Sequence, residues 1–224
     1  MKRLLTILSA AAIGTGAMAQ GEGLKFGAKL GLNMSNILQV TTFDFDNPPK
    51  TKPSLHLGGT MNIGFGRNGN FSLSTDLLYS RKGAKVYDID DNGDEQWVNA
   101  NLSYIELPIV PRYRLNFGLY FETGPYLGFL MGASRDGETE YDTIDSNGDE
   151  TTRKHKEDVK GMDFGWVVGL GYIHESGIGV GYRNAIGFMN IDDPEDADAY
   201  GDETYFAFNR CHQISFVYYM GWND

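Results

Sequence analysis

A chain of 224 residues with 30 acidic against 19 basic side chains, a formal net charge of −11, is a poor match for a phosphate backbone, and no nucleic-acid partner is expected. Its single cysteine, Cys211, excludes an intrachain disulfide. Beyond the N-terminal segment no stretch is apolar enough to cross a membrane as a helix.

The N-terminus reads MKRLLTILSAAAIGTGAMAQ. Lys2 and Arg3 precede an apolar run over 4–13 and the small-residue site Ala17-Met18-Ala19, which is the pattern of a secretory signal peptide. Residues 1–19 are therefore expected to be removed, leaving 20–224 as one domain.

Over 24–35, Leu24, Phe26, Ala28, Leu30, Leu32 and Met34 alternate with Lys25, Gly27, Lys29, Gly31 and Asn33. Successive strand side chains point to opposite faces, so this is a strand with one greasy face and one polar, glycine-rich face. The same alternation predicts strands over 55–66, 71–81, 102–114, 119–131, 162–172, 178–188 and 211–222. The first connection holds Pro48, Pro49 and Pro53, which a strand interior is not expected to accept. Pro108 and Pro111 fall inside the fourth strand, where a bulge or local break is expected.

The connections run long, short, long, short, long, short, long. Outer-membrane barrels alternate in this way because their periplasmic turns are tight and their extracellular loops long, with both termini periplasmic. The reading is all-β: an eight-stranded antiparallel transmembrane up-and-down β-barrel with short periplasmic turns and long extracellular loops, in a bacterial outer membrane.

Alternation is symmetric, so a soluble lipocalin-like barrel with its apolar face inward is the alternative. The polar face decides between them. It is rich in Gly, Ser, Asn and Tyr and carries few charges, of both signs: Lys29, Asp76, Glu106, Arg112, Arg114, Glu122, Asp163 and Arg183. Those residues suit the interior of a barrel just wide enough for side chains to fill. The lumen is expected to be plugged, with Glu106 and Glu122 pairing with Arg112, Arg114 or Arg183, and Lys29 with Glu106 or Glu122, since an unpaired buried charge costs several kcal/mol. On the apolar face Phe26, Phe65, Phe71, Tyr113, Phe121, Tyr172 and Trp222 would form one interfacial girdle, and Tyr79, Phe129, Phe164 and Trp166 the other.

FGAKLGLNMSNI over 26–37, DLLYSRKG over 76–83, YIELPIVPRYR over 104–114, FETGPYLGFL over 121–130 and YRNAIGFMNI over 182–191 give the chain its family likeness. With these segments it resembles the outer-membrane β-barrel proteins of Bacteroidota labelled porin-like or PorT-like. The resemblance implies the barrel and says little of activity beyond an accessory role in secretion. Such barrels usually end on an aromatic residue, whereas this sequence continues past Trp222 with Asn223 and Asp224.

Two loops repeat a phrase, DIDDNGDE over 88–95 and TIDSNGDE over 143–150. The first places Asp88, Asp90 and Asn92 where a calcium loop has oxygen ligands, but its twelfth position is Asn99 and not glutamate. Hairpin turns at Asn92-Gly93 and Asn147-Gly148 are the preferred reading, with a weak calcium site at Asp88, Asp90 and Asn92 as the other. The last loop holds Asp192, Asp193, Glu195, Asp196, Asp198, Asp202 and Glu203, a solvated acidic surface that could bridge through divalent cations to lipopolysaccharide. His56, His155, His174 and His212 have no Ser or Asp at a recognisable motif spacing, so neither an enzyme nor a cofactor is expected. The expected function is a small barrel, a monomer among outer-membrane lipid and lipopolysaccharide, that presents long acidic hairpins to an extracellular partner or surface. The alternatives are a narrow channel for small solutes and a secretion accessory.

Overall fold

A computed structural model of the chain describes residues 23–41, 47–65, 70–89, 95–144, 150–191 and 205–222. The strands are β1 (Leu24–Thr41), β2 (Lys52–Phe65), β3 (Phe71–Ile89), β4 (Glu95–Arg114), β5 (Leu119–Arg135), β6 (Glu140–Ile144), β7 (Glu150–Lys154), β8 (Met162–Ile173), β9 (Ile178–Gly187) and β10 (Tyr205–Tyr219). Eight of them close an antiparallel barrel in the order β1-β10-β9-β8-β5-β4-β3-β2, while β6 and β7 pair only with each other. Successive barrel strands pair with one another, and β1 with β10 closes the ring, so the barrel sheet has no open edge strand.

The period-2 pattern sets which face points inward. Leu30, Leu32, Leu57, Leu77, Phe121, Val168 and Phe216 point out of the barrel and stay exposed, while Lys29, Asn33, His56, Asp76, Arg112 and Glu122 point in and are buried. An apolar outside around a polar inside is the lipid-facing arrangement. Phe71 and Tyr113 pack side by side at the end that carries the tight turns, their ring centroids 4.8 Å apart. Trp222 departs from the expected girdle: it is half-buried past the end of β10, against Tyr219 at 4.7 Å.

Several strands outrun their sequence-based limits, all toward the end that carries the long connections. β3 continues to Ile89, β4 starts at Glu95, β1 reaches Thr41 and β10 starts at Tyr205. There the faces exchange character. Leu102, Tyr104, Leu130, Ala133, Ile191 and Ala207 form a buried apolar cluster inside the barrel, with Ile37 and Val159 against it, while Arg81 points outward. Outside the lipid band water takes the outer face and the inner face becomes an ordinary core, so the apolar-out signal stops while the ladder continues.

Of the prolines, Pro53 departs from expectation. Pro53 lies within β2, paired with Met34 of β1; pairing with β3 begins only at His56, so no ladder on that side lacks a donor. β4 continues through Pro108 and Pro111, but its ladders break locally there as expected: pairing with β3 lapses between Glu106 and Ile109 and pairing with β5 between Pro108 and Arg112, while the bulge against β5 sits at Ser103/Tyr104.

Candidate functional site

The candidate site is the charged lumen. Toward the turn end a chain of ion pairs crosses it from wall to wall. Lys29 of β1 donates to Asp76 Oδ2 of β3 at 2.6 Å, and Arg183 of β9 donates to the same oxygen through Nη1 at 2.5 Å. Arg183 Nε reaches Glu122 Oε1 of β5 at 2.5 Å, and Arg112 of β4 donates to Glu122 Oε2 through Nη2 at 2.9 Å and Nε at 3.1 Å. Arg112 Nη1 also donates to Tyr219 Oη of β10 at 3.1 Å, and its guanidinium lies 4.1 Å from the Tyr120 ring centre.

Nearer the loop end Lys82 of β3 stands between two carboxylates. Its ammonium contacts Glu106 Oε1 as an ion pair without hydrogen-bond geometry, and lies 3.6 Å from Asp163 Oδ2. Tyr126 Oη and Asn209 Nδ2 each donate to that Asp163 oxygen at 2.9 Å. The Lys82 ammonium lies 4.5 Å from the Tyr126 ring centre, a cation–π contact. The lower cluster has one cation more than its anions and the upper one anion more, so the four acids and four bases of the two clusters balance; a fifth buried base, Lys52 of β2, lies outside them and donates to Asn101. Burying these charges is affordable only in pairs.

Seven of the eight expected lumen charges fall in this network. Arg114 does not; it is half-buried near the turn end, 5.0 Å from the Trp222 ring centre, because β4 ends there and the lumen is already open to the turns. Lys29 pairs with Asp76 and not with Glu106 or Glu122: the register Lys29↔Gly58, Gly58↔Leu78 brings it opposite Leu78 of β3, and Asp76 is the next inward-facing residue on that strand toward the turn end. Sequence reasoning missed Lys82. The inward sequence Ser74, Asp76, Leu78, Ser80, Lys82 continues the period-2 pattern, and extending β3 by one pair would have found it.

A third lumen group joins residues of β1, β2 and β10. His56 Nδ1 lies 2.7 Å from Asn33 Oδ1 and His56 Nε2 lies 2.9 Å from Ser215 Oγ. That is the order of orienter, base and nucleophile, and no sequence spacing could show it. All three residues are sealed in the wall packing, and a cavity lined by Glu106, Tyr126, Arg183 and Gln213 is about 10 Å³, room for roughly one water. The arrangement satisfies buried polar groups and has no place for an acyl substrate.

At the loop end, Asp88 is engaged with Arg135 at 3.2 Å, while Asp90 and Asn92 lie outside the described residues. So do the signal segment, the tips at Asn68-Gly69, Asn92-Gly93 and Asn147-Gly148, the acidic run from Asp192 to Glu203, and Asn223 and Asp224. β3–β4 and β6–β7 pair up to both phrase-bearing tips, as a turn there requires. Asn99 donates its backbone N–H to Asp136 Oδ1 at 2.7 Å and its amide at 2.9 Å, holding that carboxyl below the ordinary range. The Tyr87 phenol is pushed up to about 12 by its hydrogen bond with Glu95. His155, stacked 4.7 Å from Tyr141, is lowered by burial and by Arg135, so it faces Asp158 as a neutral ring near pH 7.

A family model described as outer membrane protein beta-barrel domain matches residues 18–193. No match was found among curated proteins. Among solved structures, the chain is similar to Ail, the attachment invasion locus protein of Yersinia pestis, at 12% identity over 88% of this chain and 100% of that one, with a TM-score of 0.42. It is also similar to Neisserial surface protein A, at 8% identity, 88% and 99% coverage and a TM-score of 0.46. The same holds for outer membrane protein OprG from Pseudomonas aeruginosa, at 10% identity, 88% and 96% coverage and a TM-score of 0.44.

Proposed function

Because the chain belongs to the outer membrane protein β-barrel domain family, we propose that it is a small outer-membrane barrel whose lumen is closed and whose work is done by the ribbons above it. The observation that carries this reading is the lumen itself: cross-linked ion pairs fill its lower half and an apolar cluster of Leu102, Leu130, Ile191 and Ala207 fills the upper end. A solute would have to break buried pairs to pass. In this reading the tight turns are periplasmic, both termini lie on that side, and the β3–β4 ribbon, the β6–β7 hairpin and the acidic final loop face outward to bind a partner or surface. Residues 1–19 direct export. The chain acts without catalysis, and the segment likeness supports a kinship with the porin-like barrels of Bacteroidota.

Surface labelling tests the orientation. Glu157→Cys, on the connection after β7, should react with a membrane-impermeant maleimide on intact cells; Asn116→Cys, in the turn before β5, should react only once the outer membrane is permeabilised. Both residues are exposed, and the native Cys211 is buried. The opposite labelling order would overturn the proposed presentation.

A further inference from the structure

The outer wall of β1, β8, β9 and β10 is apolar along most of its length, with one polar notch toward the loop end. Tyr182 and Asn184 of β9, His212 and Arg210 of β10 and Asn36 of β1 all face outward there. Register sets Asn184 across from His212, and Asn36 across from Arg210 on the other side. Tyr182 Oη lies 2.6 Å from His212 Nδ1, with the rings stacked at 6.0 Å. A phenol donating to Nδ1 leaves the imidazole proton on Nε2.

Part of this polar capacity is used within the protein: Tyr182 engages His212 Nδ1, and the Asn36 amide oxygen accepts from the Ile37 backbone N–H at 2.8 Å. The Asn184 amide oxygen is buried without a partner, and the exposed Arg210 guanidinium has none among the described residues. The outward faces of β1, β8, β9 and β10 carry no carboxylate among the described residues, so the charge of Arg210 is uncancelled along this wall. Polar groups left open against hydrocarbon are costly, and here they converge.

Depth identifies the occupant. About ten residues separate Arg210 from Met220 along β10; at ~3.4 Å each and a ~45° tilt that is roughly 24 Å, the full height of the apolar band. Arg210 therefore stands at one rim of the band, with His212 and Asn184 just inside it. A second copy of the chain meeting this face about a two-fold axis would bring another arginine to a site that needs an anion.

We propose that this notch holds a phosphate of an outer-leaflet lipid, with Arg210 and His212 Nε2 donating to its oxygens and the amide nitrogens of Asn36 and Asn184 beside it as further donors. The inference rests on the reading of this wall as lipid-facing and of the loop end as extracellular.

The test uses the folded full-length protein in detergent micelles doped with bisphosphorylated lipid A, and native mass spectrometry to count retained lipid. Wild type should retain the lipid, and the Arg210→Ala/His212→Ala variant should hold it about tenfold more weakly. Arg81→Ala, an outward arginine elsewhere around the barrel, should not differ from wild type, and the Arg210→Ala variant alone serves should the double variant not fold. Dephosphorylated lipid A should be retained no better by wild type than by the variant, and excess inorganic phosphate should displace neither. Equal retention by wild type and variant, indifference to the lipid phosphate, displacement by inorganic phosphate, an equal effect of Arg81→Ala, or capture of a second chain by a cross-linker at position 212 would each overturn the proposal. Failure of wild type to insert into vesicles as a heat-modifiable barrel is a separate readout, which would sink the membrane reading itself, and the labelling order of Glu157→Cys and Asn116→Cys separately tests which leaflet the notch faces.

Discussion

Lys82 is the residue on which the upper lumen depends. It is the only cation within reach of both Glu106 and Asp163 among the described residues, and all three side chains are almost fully buried. Removing one partner of a buried pair strands the other, so Lys82→Met should cost about 3–5 kcal/mol. Urea unfolding from lipid vesicles measures it. In the Glu106→Gln background the same substitution should cost distinctly less, since fewer stranded charges remain; equal costs in both backgrounds would show that the pair is not coupled. Outside the band, Asp136 offers a pH test. Its folded pKa is depressed by the Asn99 hydrogen bonds, so its stabilisation is present above the ordinary carboxylate value of ~3.9 and lost as pH falls through the folded value. Hydrogen exchange at the Asn99 amide should accelerate over that acid range, and Asp136→Asn should remove the pH dependence.

Between strands, the glycine-rich face reads as a set of seats for rings. Tyr120 of β5 is in register with Gly171 of β8, which pairs in turn with Gly181 of β9; Tyr126 stands in the same way over Gly165, whereas Gly187 makes room for Asp163 Oδ1, 2.8 Å from where its Cβ would lie. A Cβ on Gly181 would lie 2.5 Å from Tyr120 Oη and meet nothing else closer than 3.7 Å. Gly181→Ala should therefore destabilise the barrel by about 1–3 kcal/mol, and Tyr120→Phe, which removes the offending oxygen, should recover most of that loss. An unchanged penalty in the Phe background would mean that the glycine serves the backbone and not the ring. The strands were legible as far as lipid imposes an apolar outer face, which is why 24–35 and 162–172 read cleanly. They were illegible beyond the band, where β3 and β4 carry polar side chains outward and the period-2 signal loses contrast.

For the molecule as a whole, closure and facing followed from loop lengths and from the paucity of charge on the polar face. Partnership inside the lumen did not. Lys29 with Asp76 and Arg183 with Glu122 join strands far apart in sequence, and their depth depends on register, which single-strand periodicity leaves open. Ser215, His56 and Asn33 meet for the same reason, with no local signal at all. What closes the barrel is a lumen filled by paired charge and capped by apolar side chains. Single-channel recording of the refolded protein in planar bilayers tests that most directly: the bilayer should stay electrically silent under applied voltage, and steady, reproducible conductance steps from the wild-type protein would contradict it.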